Sequence, residues 1–376
     1  MTKIPPGLLP EGLSDRLPPQ AEASARLVRH VLDTVSSHGY QRVMPPLAEF
    51  EHNLVARLQS ARAQDLLRVV DPVSQRMLAL RPDMTAQVGR IAATRLATAA
   101  RPLRLCYAGP VIKLRANQLR PEREMMQVGA ELIGTDSVAA AVEIVNVAIE
   151  ALEVAGVSDI TVDFTLPDLI NTLAQEEFPL TSDEIPLVRA ALDAKDAGTL
   201  TALGAGPAAY LPLIEATGPF HAAMNRLEAL DASGALRNRI AGLRAIAKPI
   251  HDDITLTLDP TERHGFEYQT WFGFSLFAGG FVGEIGRGGT YMIAHPDGTL
   301  EPAIGFSLYP DPLIDAGLGG KDSAQLFLPM GHDPARAAEL RKAGWRTIAA
   351  LSGSDDAATL GCSHSLNGDT PVELGN

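Results

Sequence analysis

The sequence predicts an α+β fold: an antiparallel sheet flanked by helices, interrupted by a helical insertion and followed by a small C-terminal α/β domain. Three observations carry this. Strand-like runs at Leu103–Tyr107, Val111–Leu114 and Met125–Ile133 return after the middle of the chain at Ile254–Leu258, Phe266–Phe277, Gly283–Glu284 and Ala303–Ser307, separated by glycine-rich turns. Between Leu166 and Ala247 the composition shifts to Ala, Leu and scattered charge with few β-branched runs, which places a helical insertion at about 166–250. After Ile314 strand and helix patterns alternate, setting residues 314–376 apart from a core of residues 1–313.

The elements follow in order. Leu27, Val28, Val31, Leu32 and Val35 recur at helical spacing from Gln20 to His38, and Gly39 supplies the stop. Tyr40–Met44 reads as a short strand ended by Pro45-Pro46. Leu66–Val70 and Met77–Leu80 flank Asp71-Pro72 as a hairpin. Thr85 is the expected cap of a helix through Val88, Ile91, Ala92 and Leu96, and Val138, Val142, Val145, Ile149 and Leu152 form the stripe of a helix from Ser137 to Ala155. In the last piece, Leu326–Leu328 is a strand, Asp333-Pro334 opens a helix stopped by Gly344, Trp345–Ala349 is a second strand and a further helix is expected near Asp355–Leu360. This describes a βαβα unit whose parallel strands are joined by a right-handed crossover.

Charge and composition narrow the function. With 32 Lys+Arg against 45 Asp+Glu the formal net charge is −13, which disfavours nonspecific binding to nucleic acid or anionic membranes. No apolar run reaches the roughly 18–20 residues that span a bilayer, and the prolines of the first twenty residues do not suit a signal peptide, so a cytoplasmic protein is expected. Cys106 and Cys362 are far apart without CxxC spacing, and the nine histidines show no metal-binding pattern. No GxSxG elbow is present, and Gly283–Tyr291, GEIGRGGTY, lacks the Gly-Lys-Ser/Thr of a phosphate loop and reads as a hairpin turn.

Two segments stand out. Lys113, Arg115, Arg120 and Arg123 concentrate cations in one turn; they either hold a phosphate or carboxylate or form a solvated turn balanced by Glu122 and Glu124. On the next strand Gln127, Gly129 and Glu131 share one face by period two, as a ligand floor or an ordinary exposed face. Asp83 and Thr85 offer a carboxylate and a hydroxyl.

Taken together, the segments resemble class II aminoacyl-tRNA synthetases, specifically the histidyl-tRNA synthetase core, over about Pro10–Leu313. His38–Glu49 resembles the class's first motif, which builds a dimer interface. Leu80-Arg-Pro-Asp-Met-Thr85 resembles the LRPE/DxT segment, and Tyr107–Lys113 through Gln127–Gly134 the second motif and its following strand. Gly265–Thr270 is similar to the GLDYYT-type segment, Gly288–Tyr291 to GGRY, and Gly305–Leu313 to the third motif. The resemblance implies that Asp83, Thr85, Gln127 and Glu131 grip the ammonium and imidazole of histidine, with Lys113 in the second motif and Tyr268, Gln269 and Tyr291 in the segments that close over the ligand. The departures lie on the nucleotide side. Lys113 stands where the synthetase has an α-phosphate arginine, Arg115 where it has an acidic adenine contact, and His264 where it has the arginine that assists adenylation. Pro312 replaces the arginine that clamps the γ-phosphate, and a proline supplies neither a cation nor a backbone N–H.

A retained amino-acid pocket, a broken ATP site and a C-terminal domain too short to bind an anticodon resemble the regulatory subunits of ATP phosphoribosyltransferase. That family has no aminoacylation activity. The resemblance implies partnership with a short-form catalytic subunit, a self-dimer within a hetero-octamer, L-histidine as effector, and no tRNA, membrane, metal or cofactor. A divergent histidyl-tRNA synthetase, or another class II amino-acid-activating paralogue, is the alternative.

Overall fold

The structure, a computed structural model, describes residues 7–55, 66–115, 122–263, 268–320 and 324–374. Arg120 and His264, both singled out by the sequence, lie outside the described residues, as does 265–267 of the GLDYYT-like segment. The chain forms two compact units, Met1–Gly319 and Gly320–Asn376.

In the first unit the order is α1 (Gln20–Ser37), β1 (Gln41–Arg42), β2 (Ala48–Phe50), α2 (Glu51–Val55), β3 (Arg68–Val70), β4 (Met77–Leu80), α3 (Thr85–Thr94), β5 (Leu103–Ile112), β6 (Glu124–Ile133), α4 (Val138–Val154) and β7 (Ile160–Thr165). The insertion follows as α5 (Leu169–Gln175), α6 (Glu184–Asp193), α7 (Ala197–Ala202), α8 (Ala205–Ala208), α9 (Pro212–Glu215), the two-residue β8 (Gly218–Pro219), α10 (Phe220–Leu230) and α11 (Arg237–Ala247). The unit closes with β9 (Thr255–Leu258), β10 (Gln269–Ala278), β11 (Gly286–Ala294), β12 (Leu300–Leu308) and α12 (Asp311–Asp315).

A nine-stranded sheet runs β1-β5-β6-β12-β11-β10-β7-β9-β8. It is antiparallel except for β1 with β5 and β7 with β9. Its even-numbered residues, among them Cys106, Val128, Ala130, Leu132, Phe164, Phe274 and Phe306, join the stripes of α1 and α4 in the main core. The odd-numbered side carries a smaller apolar cluster under α3, with Met84, Val88, Ala92, Leu105 and Ile293, and beside it the polar residues of the site. A separate small sheet, β2-β4-β3, contains the expected hairpin.

Several expectations change in detail. β5 is one strand rather than two. Pro110 sits inside it opposite Met126 of β6, and β1 pairs only with Leu105 and Cys106, so the proline's missing donor faces no strand on the other side. Thr85 is not the cap of α3. The Asp83 carboxylate accepts the Thr85 N–H at 2.7 Å and does that work two residues earlier. Ser137 caps α4, accepting from the Ala140 N–H at 3.3 Å. GEIGRGGTY is not a turn: Gly283–Ile285 lead into β11, while Gly286–Tyr291 lie within it.

The second unit contains β13 (Gln325–Leu328), α13 (Pro334–Lys342), β14 (Arg346–Ala349), β15 (His364–Asn367) and β16 (Thr370–Glu373) in the order β14-β13-β15-β16. The β13-α13-β14 crossover is parallel, with the Asp333 carboxylate capping α13 at the Ala335 N–H. The helix expected near Asp355–Leu360 is a run of turns. Asp355 accepts from Leu351 and Ser352 N–H and Asp356 from Thr359 N–H, side-chain bonds that compete with helix formation, and a β15–β16 hairpin completes the sheet.

Candidate functional site

The centre of the odd face is a connected polar network. Glu131 on β6 is 1% exposed and Gln127 is wholly buried. Tyr107 on β5 donates to Glu131 Oε1 at 2.9 Å, and Tyr291 on β11 donates to Oε2 at 2.8 Å. Burial pushes the Glu131 carboxyl up to about 8, against the lowering effect of those two hydroxyls. The same burial drives both tyrosine hydroxyls well above their ordinary range.

Gln127 is fixed in one orientation by three partners: Oε1 accepts the Met84 N–H at 2.9 Å, and Nε2 donates to Asp83 Oδ2 and to Ser307 Oγ, both at 2.7 Å. Ser307 accepts from Gln127 while the Tyr107 proton is committed to Glu131, so the Ser307 hydroxyl, 3.1 Å from Tyr107, donates to it. Thr85 Oγ1 lies 3.3 Å from the same phenol oxygen. Asp83, Thr85, Gln127 and Glu131 are thereby joined through Tyr107 and Ser307, two residues that sequence reasoning missed.

Glycines make room for the side chains of Glu131 and Gln269. Gly305 on β12 pairs with Glu131, and Gly289 on β11 pairs with Gly305. A Cβ at Gly305 would fall on Glu131 Oε2, and one at Gly289 on Gln269 Oε1. The two oxygens therefore lie over neighbouring bare-backbone positions. Gln269 Nε2 donates to Gly288 O at 3.0 Å, which settles the amide's orientation and leaves Oε1 buried with no hydrogen-bond partner among the described residues. A buried acceptor without a donor costs about 1–3 kcal/mol unless a ligand supplies one. Tyr268 packs edge-on against Tyr291, ring centroids 6.1 Å apart, at the same end of the site.

Of the eight sequence-predicted residues, Lys113 stands apart. It is exposed just beyond β5, and its backbone pairs with Arg123: its N–H donates to Arg123 O at 2.8 Å, and Arg123 Nε donates back to Lys113 O at 3.2 Å. Pro312 lies in the first turn of α12 behind Asp311, whose carboxylate accepts the Met126 N–H at 2.7 Å and the Arg16 guanidinium at 2.7 Å. An anchored carboxylate next to a residue without an N–H is the reverse of a phosphate clamp.

Comparison with known proteins agrees with this architecture. The histidyl-tRNA synthetase family model matches residues 12–313. The ATP phosphoribosyltransferase regulatory subunit of Rhodospirillum centenum is 43% identical over 376 residues, covering 98% of this chain and 96% of its own. A Bacillus halodurans crystal structure described as an ATP phosphoribosyltransferase regulatory subunit/histidyl-tRNA synthetase superposes with a TM-score of 0.81 at 22% identity, covering 96% of this chain and 97% of that one. A chain from the ATP phosphoribosyl transferase complex of Thermotoga maritima gives 0.58 at 15% identity, covering 75% and 96%. Fold and site together define a class II core of the histidyl-tRNA synthetase type. The chain belongs to the family of ATP phosphoribosyltransferase regulatory subunits, and it is a non-catalytic subunit.

Proposed function

We propose that this regulatory subunit binds L-histidine in the network around Glu131 and couples its occupancy to the activity of a short-form catalytic subunit, in the first step of histidine biosynthesis. The observation that carries the reading is the placing of Glu131 beside Gln269 Oε1, an acceptor with no partner among the described residues, over the paired glycines Gly305 and Gly289. Carboxylates suit an ammonium and an imidazolium, and a carbonyl oxygen suits an imidazole N–H. The thermodynamic content is a coupling free energy between effector binding and the active state of the partner. On the nucleotide side Pro312 supports the absence of ATP activation, and the net charge of −13 supports the absence of tRNA binding. We assign the chain to the cytoplasm, as a dimer within a hetero-octamer. Among the described residues no helix is long and apolar enough to cross a membrane.

The test is reconstitution with a short-form catalytic subunit. Transferase activity is expected to depend on this chain and to fall when L-histidine is added, while Glu131→Ala assembles normally and loses the histidine response. An unchanged response in that variant places the effector site elsewhere, and histidine-dependent pyrophosphate exchange with ATP above background overturns the regulatory reading.

A further inference from the structure

The polar network does not end at the sheet. Asp83, Gln87 and Arg90 are spaced by four and then three residues, so they share one face of α3 and its cap, while Met84, Val88 and Ala92 join the apolar cluster on the sheet. A largely buried helix thus carries a polar stripe along its length. At the first turn the Asp83 carboxylate caps the helix at the Thr85 N–H, and Gln127 bonds both that carboxylate and the Met84 N–H. Further along, the stripe meets the segment 45–49. Gln87, wholly buried, donates from Nε2 to Pro46 O at 2.7 Å and to Glu49 Oε1 at 3.0 Å. Arg90 Nε donates to Glu49 Oε2 at 2.8 Å and Nη2 donates to Oε1, a two-point pair on a buried carboxylate.

Two observations make this stripe more than packing. Gln87 turns both Nε2 protons toward the segment 45–49, which leaves its Oε1 buried with no hydrogen-bond partner among the described residues. An unpaired buried acceptor is a standing cost, accepted here to keep the amide on Pro46 and Glu49. The two ends of α3 are also held differently. Beyond its C-terminal end Arg101 donates to the carbonyls of Ala92, Leu96 and Ala99 and to the Glu301 carboxylate, all of them groups of the protein itself. The first turn is held through Asp83, which the histidine reading also gives to the ligand, so an ammonium there acts on the end of α3 whose restraint it shares.

We propose that α3 relays occupancy of the site to the segment 45–49, with Glu49 as the receiving residue. The proposal rests on the histidine reading, because it needs a ligand that engages Asp83. The relay ends at the surface, where Met44 and Leu47 are exposed on either side of Pro45-Pro46. A shorter path to the same segment runs through Arg81, whose N–H donates to Leu47 O at 3.0 Å and whose Nη1 donates to Pro45 O at 2.9 Å. Glu49 separates the two paths, since its carboxylate accepts from Gln87 and Arg90.

The test is backbone amide hydrogen exchange of the full chain in complex with the short-form catalytic subunit, with and without saturating L-histidine, read on the peptides spanning residues 44–50 and 84–90. In the unsubstituted protein histidine is expected to slow both, the 44–50 peptide by about 5-fold, the lower end of ordinary coupling between sites. Glu49→Gln keeps the shape and removes the charge; it is expected to preserve the slowing at 84–90 and to lose it at 44–50. Arg90→Lys keeps the charge without the two-point geometry and is expected to retain part of it. A Glu49 that serves only the fold gives a different result: its substitution speeds exchange of 44–50 with and without ligand alike and leaves the histidine-dependent difference in place, which overturns the relay in favour of the path through Arg81. Because the first comparison is made on the unsubstituted protein, a misfolded variant does not protect the proposal: no difference at 44–50 there, with 84–90 slowed, also overturns it while leaving the histidine site standing. If neither peptide responds to saturating L-histidine, the histidine reading and the relay fail together.

Discussion

At Glu131 the requirements of folding and of the proposed histidine binding oppose each other. Its carboxyl titrates near 8 in the folded chain, against 4.5 for an ordinary glutamate, because burial disfavours the charged form. Between those two values the unfolded chain has released a proton that the folded chain retains, so this group makes stability fall as pH rises from about 4.5 to about 8, with no further change above. The effect belongs to the ligand-free protein, since an imidazolium beside Glu131 favours its ionised form. Glu131→Gln is expected to flatten that part of the pH dependence and to be the more stable chain at about pH 8 by on the order of 1–2 kcal/mol, while losing histidine affinity. Denaturant midpoints of both chains at acidic and alkaline pH check this, and parallel curves contradict it. Residue types and motif spacing made Asp83, Thr85, Gln127 and Glu131 legible from sequence. Tyr107 and Ser307 were not, because their roles depend on which residue of β5 or β12 faces which on the neighbouring strand, and register is a tertiary fact.

Among the elements, those with punctuation of their own were readable and those punctuated by the site were not. α1 is followed by Gly39 with φ +84°, and α4 begins at a Ser137 cap, so both ends follow from local chemistry. β11 was read as a turn because its glycines resemble turn residues, yet they are there to leave room above the sheet. Gly305 on β12 follows the same logic. A methyl group there would collide with Glu131 Oε2 and would approach Ala130 O within 2.6 Å, so either the strand or the carboxylate has to move. Gly305→Ala is expected to cost about 1–3 kcal/mol of stability and to abolish histidine binding even where the fold is retained. Circular dichroism with titration calorimetry separates the two effects, and native-like affinity in a folded Gly305→Ala chain would show that the glycine floor is not the ligand's bed. Asp83 joins strand-borne and helix-borne parts of the site, since one carboxylate caps α3 and holds Gln127. Asp83→Ala is accordingly expected to lower stability by about 1 kcal/mol, the cost of a lost cap, in the same chain that loses affinity.

For the whole molecule the question is where the synthetase-like unit ends. The resemblance ends near Leu313 and the family match at residue 313, but the physical unit continues to Gly319. Ile314 is 2% exposed in the main core, and beyond it the Arg26 side chain of α1 donates to the Gly319 carbonyl at 2.7 Å. A Cβ at Gly319, where φ is +74°, would meet the Ala23 carbonyl and the Leu27 side chain, so the segment lies directly on α1. The third motif stops at Leu313, whereas packing against α1 depends on a few apolar and backbone contacts that no motif encodes. Two truncations distinguish these boundaries. A chain ending at Gly319 keeps Ile314 and the Arg26 bond and is expected to unfold cooperatively with the midpoint of the first unit in the full protein. A chain ending at Leu313 loses a buried isoleucine and the acceptor for Arg26, and is expected to be less stable by about 2–5 kcal/mol. Equal denaturant midpoints for the two truncations would return the boundary to Leu313, and failure of both to fold would show that the first unit depends on residues beyond 319.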